Sequence, residues 1–202
     1  MTAHGPEALD DGQALALLCG LDEAAARALL QTFGSVPEVV GAAAADLARV
    51  AGGHAAVRLK LVQDLAGRML ARPLKVRAVI GSSSSLQAYL RTVMTGAPRE
   101  QFRVLFLDRK NRLIADEVMG QGTVDHAPVY PREVVRRALE WHASAVVLAH
   151  NHPSGDPTPS PADVEMTREV IAAGRVLRLA VHDHVIVGGQ SCASLRGLGL
   201  LP

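Results

Sequence analysis

Cysteine, aromatic residues, net charge and long apolar runs are all scarce in this chain, and each scarcity removes a class of protein. Cys19 and Cys192 are far apart and form no C-x-x-C pair, which argues against a disulfide scaffold and against a cysteine-rich zinc site. Both read as buried or idle thiols. Aromatic residues make up 3% of the chain, so Ala, Leu and Val must build most of the interior. With 49% of all residues hydrophobic, the makeup is that of an ordinary globular protein rather than a disordered one. No apolar run reaches about 18 residues, the length that marks a membrane span. Met1 to Asp10 has no cationic stretch leading into an apolar core and cleavage site, so the expectation is a soluble, cytoplasmic chain without a membrane partner. Lys and Arg number 21 against 20 Asp and Glu, a formal charge of +1. No global pull toward nucleic acid follows, and any basic patch must be local.

What is present is enough chain for one sizeable core or two small ones, at 202 residues. The first seventy or so residues read as short helices. Leu15, Leu17 and Leu18, then Ala26, Leu29, Leu30 and Phe33, recur at helical rather than alternating spacing. Gly34-Ser35 stops the second helix, a third segment near Ala44 to Val50 ends at Gly52-Gly53, and a longer one from Ala55 to Leu70 closes before Pro73. The polar tract Gly81 to Ser85 places a boundary at 72–82, giving a helical domain over 1–72 and a second domain over 80–202. The Ser tract is also suited to cap the helix after it. Downstream, Phe102 to Leu107, Leu113 to Met119 and Ala143 to Ala149 read as strands and Pro131 to Trp141 as a helix. Ser160 to Val176 reads as another helix, and Leu179 to Val187 as one or two strands parted around Asp183. That order predicts an α/β or α+β domain, a sheet flanked by helices, with no internal repeat.

The chemistry concentrates between Ala149 and Asp163. His150 and His152, one residue apart at the end of a strand, project from one side of an extended backbone and can share a metal. A loop stiffened by Pro153, Pro157 and Pro159 can return Asp163 to them. Two nitrogens and one oxygen suit a single Zn2+ in tetrahedral geometry with a fourth position left for water, the arrangement of a catalytic zinc. Glu117, on an upstream strand, is the candidate to handle the proton of that water. The Ser160 hydroxyl is the candidate donor to the developing oxyanion, so its loss is expected to lower turnover more than metal binding.

Each of these residues has a plainer reading. Ser160-Pro161-Ala162-Asp163 is a good helix start, with Ser as the cap, Pro first in the helix and an acid three after the cap. That alone accounts for Ser160 and Asp163, and both roles can hold together. His182-Asp183-His184 repeats the H-x-H spacing but runs into Val185-Ile186-Val187 and Gly188-Gly189, with no loop, Ser and Asp behind it. A structural or ligand-supporting role is expected for both of its histidines. Glu117 also reads as an exposed strand carboxylate, and pattern alone separates it only weakly from Asp116 on the opposite face. His126 and His142 have no partner at ligand spacing.

With seven residues, Pro153 to Pro159, between His152 and Ser160, the segment resembles the JAMM or MPN+ metal motif. The wording His150-Asn151-His152-Pro153-Ser154-Gly155-Asp156-Pro157 is similar to that of the RadC family. So are Leu107 to Ile114, and Gly122-Thr123-Val124 with Tyr130 to Val134. The similarity covers most of 100–190. It implies a JAMM/MPN, cytidine-deaminase-like sheet flanked by helices and preceded by a small all-helical domain, with zinc on His150, His152 and Asp163 and with Glu117 as acid/base. Relatives with such a site are peptidases or isopeptidases, which implies cleavage of a peptide or isopeptide bond. RadC proteins are also linked to DNA repair. The N-terminal region resembles the helix-hairpin-helix segment that precedes the domain in that family, with Phe33-Gly34-Ser35 in common and Ala51-Gly52-Gly53-His54 in place of the G-x-G turn. Arg58, Lys60, Arg68, Arg72, Lys75 and Arg77 outnumber the single acid Asp64 nearby. That local excess makes branched or single-stranded DNA the alternative partner, through the N-terminal helices, and a metal-dependent nuclease would join the two readings.

Overall fold

The computed structural model describes residues 8–76, 79, 83–122 and 129–201. His126, Arg77, the Thr123-Val124 portion of the motif and the Gly81-Ser82 start of the Ser tract lie outside them. The chain divides into two compact units, 1–66 and 67–202.

In the first unit, α1 (Asp11–Cys19), α2 (Glu23–Phe33), α3 (Val36–Gly41) and the start of α4 (Ala44–Val76) follow one another. Their starts are written in capping chemistry. The Asp10 side chain accepts from the Gln13 backbone N–H in a capping box, and the Asp22 side chain accepts from that of Ala25. Leu15, Cys19, Leu29, Val39, Leu47 and Leu59 form the centre of a small aliphatic core. Lys60, from the expected basic run, turns inward. Its ammonium donates to the carbonyls of Val40, Gly41 and Ala42 at 3.0, 3.3 and 3.0 Å, closing the end of α3.

As expected, the helical segment from Ala44 breaks at Gly52, whose φ of 84° and ψ of 162° are not helical, so α4 is two helical segments joined at a kink. The second segment does not close before Pro73 but continues through it to Val76. An interior proline costs about 3 kcal/mol. Fully burying one Leu recovers roughly 1.5–3 kcal/mol, and Leu74, at 1% exposure, lies in the core of the second unit with Leu70 and Ala71 packed against it. Burial therefore overrides the local stop signal.

The second unit is a five-stranded sheet between helices. α5 (Ser83–Met94) precedes β1 (Gln101–Leu107) and β2 (Leu113–Gln121). Then come α6 (Pro131–Glu140), β3 (Ala145–His152), α7 (Pro161–Arg175), β4 (Ala180–Gly188) and β5 (Ser191–Ser194), the last without a sequence signal strong enough to be expected. The strand order is β2-β1-β3-β4-β5. Among the described residues only β3 and β4 pair in parallel, joined by α7 as the crossover. β3 is central and buried along nearly its whole length. One face of the sheet, with Leu105, Leu107, Val147 and Ala149, packs on Leu86, Leu90 and Met94 of α5. The other, with Phe102, Val104, Phe106, Val146 and Leu148, packs on Val134 and Ala138 of α6 and Val170 of α7. This is the α+β arrangement of a sheet flanked by helices, preceded by a helical region.

The expected interruption near Asp183 is a bulge within one strand. Val146 pairs with Val181, but Val147 pairs with Asp183, so His182 is the extra residue. The bulge inverts the alternation. Val181 ahead of it and His184 after it therefore both face α6 and α7. Among the described residues, no helix is long and apolar enough to cross a membrane.

Candidate metal centre

His150 and His152 end the central strand, on the face that also carries Val146 and Leu148. His150 is almost wholly buried, with 1% of its side chain exposed, while His152 is 20% exposed and forms the open rim. The loop 153–160 then leads into α7, whose N-cap is Ser160 and whose first turn holds Asp163.

That helix start shows that capping and ligation are compatible. Asp163 Oδ2 accepts from the Ser160 backbone N–H at 2.8 Å and from the Ser160 hydroxyl at 2.7 Å. Asp163 Oδ1 is left facing His150 Nε2 at 3.2 Å. Burial alone would raise the Asp163 pKa, but the facing His150 and the Ser160 bonds outweigh it and hold the carboxyl well below the usual carboxylate range. The Ser160 hydroxyl hydrogen is thus committed to a candidate ligand rather than to an oxyanion.

His150 Nε2 and His152 Nε2 stand 2.9 Å apart. His152 Nδ1 lies 2.7 Å from the Asp156 carbonyl oxygen, which can only accept, so Nδ1 carries a proton and the neutral form of the ring has a bare Nε2. His150 Nδ1 is engaged by His184 Nε2 at 2.8 Å, again turning Nε2 to the site. His184 is fully buried, and burial pushes its pKa well down. Phe102 stacks on His150 and meets His184 edge-on, packing both rings from the side.

The ligand atoms of His150, His152 and Asp163 all lie within 4.8 Å of one another. A tetrahedral zinc with bonds of about 2.0–2.1 Å needs donor atoms about 3.3 Å apart. The 2.9 and 3.2 Å separations lie just below that value. With the ring protons on Nδ1, the electron-rich atoms that face one another here repel, and a cation between them would relieve that repulsion, so the donor set fits a divalent metal. The expected triad is brought together.

Glu117, the expected acid/base, is not brought together with the triad. It pairs with Val104 on β1, which pairs with Leu148 on β3. Two strand spacings, about 9.5 Å, therefore separate it sideways from the strand of the histidines. Its carboxylate accepts from Arg137 Nε at 2.7 Å, from the second Arg137 nitrogen and from Trp141 Nε1 at 2.7 Å. The Arg137 hydrogen bond, against a smaller desolvation effect and with help from Trp141, lowers its pKa. This carboxylate anchors α6 to the edge of the sheet.

Glu100, which the sequence did not single out, lies nearer. It lies two residues before Phe102, which pairs antiparallel with His150, and immediately before the start of β1. Asn151 fastens the chain on both sides of it: the Gln101 backbone N–H donates to Asn151 Oδ1 at 2.9 Å, and Asn151 Nδ2 donates to the Arg99 carbonyl at 3.1 Å. Among the described residues no hydrogen bond or ion pair engages the Glu100 carboxylate.

The second H-x-H pair splits. His184 stands behind His150, whereas His182 Nε2 meets Asn111 Oδ1 at 2.8 Å, away from the metal triad.

Residues 80–200, more than half the chain, match the family described as the RadC-like JAB domain.

Proposed function

This chain belongs to the RadC-like JAB family, within the JAMM-type metallohydrolases, and we propose that it is a zinc-dependent hydrolase of peptide or isopeptide bonds. The observation that carries the reading is the convergence of the ligand atoms of His150, His152 and Asp163, two nitrogens and one oxygen of the kinds that would hold a zinc ion. Bound there, zinc supplies Lewis acidity and lowers the pKa of a water to about 7. The chain's own residues do the remainder. In their neutral forms with the proton on Nδ1, His150 and His152 present bare Nε2 atoms, Asp163 supplies an oxygen, and Ser160 keeps that carboxylate turned inward.

The proton carrier in this proposal is Glu100 rather than Glu117. Glu100 lies immediately before β1, beside the histidine strand, on a backbone clamped by Asn151, and its carboxylate can accept a proton from water and return it to the leaving nitrogen. Glu117 is held as an anion by Arg137 and suits an anchor better than a shuttle.

Zinc-loaded wild type, Glu100→Gln and Glu117→Gln are to be compared on isopeptide-linked and peptide-fusion substrates, with single-stranded and branched DNA in parallel. Glu100→Gln is expected to cut peptide-bond hydrolysis by at least about 100-fold, the lower end of general acid–base contributions, while keeping its zinc. Glu117→Gln is expected to retain most activity. Cleavage of DNA alone, or full activity in Glu100→Gln, overturns the assignment.

A further inference from the structure

We propose that Thr167 and His184 are positioning residues that select which ring nitrogen of His150 is offered to a metal, and that the backbone carbonyl of Asp163 makes the choice. The proposal rests on the metal reading above and extends it to two side chains that need not touch metal or substrate.

The Thr167 hydroxyl has one hydrogen and two neighbours, the Asp163 carbonyl oxygen at 2.6 Å and His184 Nδ1 at 2.7 Å. A carbonyl oxygen cannot donate, and two oxygens at that distance without a hydrogen between them would repel. The hydroxyl therefore donates to Asp163, and its oxygen accepts from His184, whose proton must lie on Nδ1. A neutral imidazole carries a single N–H, so His184 Nε2 is bare and accepts from His150 Nδ1 at 2.8 Å. His150 in turn has its only proton on Nδ1 and a lone pair on Nε2, facing His152 and Asp163. Both Thr167 and His184 have no solvent exposure, so water cannot substitute for a missing partner.

Two ligands are thereby linked. The carboxylate of Asp163 faces the metal position, while its backbone carbonyl, one helical turn before Thr167, sets the tautomer of His150 through two side chains. His152 obtains the same orientation by a separate route, directly from the Asp156 carbonyl. Breaking the relay has a definite consequence. In Thr167→Val, which keeps the shape, His184 Nδ1 loses its acceptor and the proton is better placed on Nε2, where it donates to His150 Nδ1. His150 must then carry its own proton on Nε2, bonded to His152 Nε2 or Asp163 Oδ1. The site satisfies itself, and an incoming metal has to displace that proton.

The test reads tautomers and affinity separately. Long-range 15N–1H spectra of the metal-free protein at about pH 8.5, above the ordinary histidine range, assign the protonated nitrogen of each ring. Zinc affinity is measured by competition with a chromophoric chelator. Wild type is expected to show Nδ1–H on His150, His152 and His184. Thr167→Val is expected to move the His150 proton to Nε2 and to weaken zinc by about 10–100-fold, the usual effect of removing a ligand's supporting partner. Thr167→Ser and His184→Gln, which preserve the order of donors and acceptors, are expected to stay close to wild type, and His184→Phe to behave like Thr167→Val. Nε2–H on His150 in wild type, or wild-type zinc affinity in a folded Thr167→Val, overturns the relay. If wild type binds no zinc, the metal reading fails, and the wild-type tautomers alone then decide this proposal.

Discussion

Ser160 illustrates how one hydroxyl can serve two ends. Its oxygen accepts from the Asp163 backbone N–H at 3.2 Å and its hydrogen goes to Asp163 Oδ2 at 2.7 Å. The same pair starts a helix and sets the rotamer of a candidate ligand. An oxyanion role would require that hydrogen to be available, and here it is already engaged. Ser160→Ala is therefore expected to weaken zinc binding and to destabilise the metal-free protein by about 0.5–2 kcal/mol, the range for loss of a helix cap. Chelator competition and denaturant unfolding measure the two effects. Unchanged zinc affinity with reduced turnover would restore the oxyanion reading. Glu100 and Glu117 make the converse point, since one carboxylate is clamped by a guanidinium and the other has no such partner among the described residues.

Among the elements, the end of β4 decides whether the loop after β3 can close over the site. Gly188 pairs with His152. A Cβ there would lie 2.5 Å from Pro157 N, 2.6 Å from the Gly155 oxygen and 2.7 Å from the Asp156 carbonyl carbon, all backbone atoms. Only a residue without a side chain lets the loop lie against the strand and aim the Asp156 carbonyl at His152 Nδ1. Gly188→Ala is expected to leave the secondary structure intact by circular dichroism and to lower zinc affinity by more than tenfold, within the range for lost ligand support. Wild-type affinity would show that the loop does not orient His152. The bulge at His182 is the companion device. Without it, His184 would point to the α5 side of the sheet.

At the scale of the molecule, two cores share one chain, and α4 runs into both. The candidate metal site belongs wholly to the unit 67–202. Any ligand that binds only the folded form stabilises it by mass action, about 2.7 kcal/mol at a free concentration one hundred times Kd. Calorimetry with increasing free zinc is expected to raise the unfolding transition of the sheet-containing unit, with a smaller change in that of the helical unit. Stripping the metal should reverse the shift. A zinc-independent melting profile would argue against a resident metal.

Much of this was already local in the chain. The capping pattern Ser160-Pro161-Ala162-Asp163, the alternation that sends His150 and His152 to one side, and the helical spacing of the first sixty residues act over a few neighbours, so the sequence by itself determined them. The alternation of strands and helices likewise foretold a sheet covered by helices. Only the tertiary structure decided that Pro73 lies within a helix, because the burial of Leu74 that outweighs it is contributed by distant residues. Strand order and register decided the carboxylates in the same way. Glu117 is near in sequence pattern but on the edge strand, while Glu100 is brought beside the histidine strand by the antiparallel pairing of Phe102 with His150, across about fifty residues of chain, which no local spacing records. The relay through His184 was equally out of view, since a one-residue bulge set the face on which that imidazole stands.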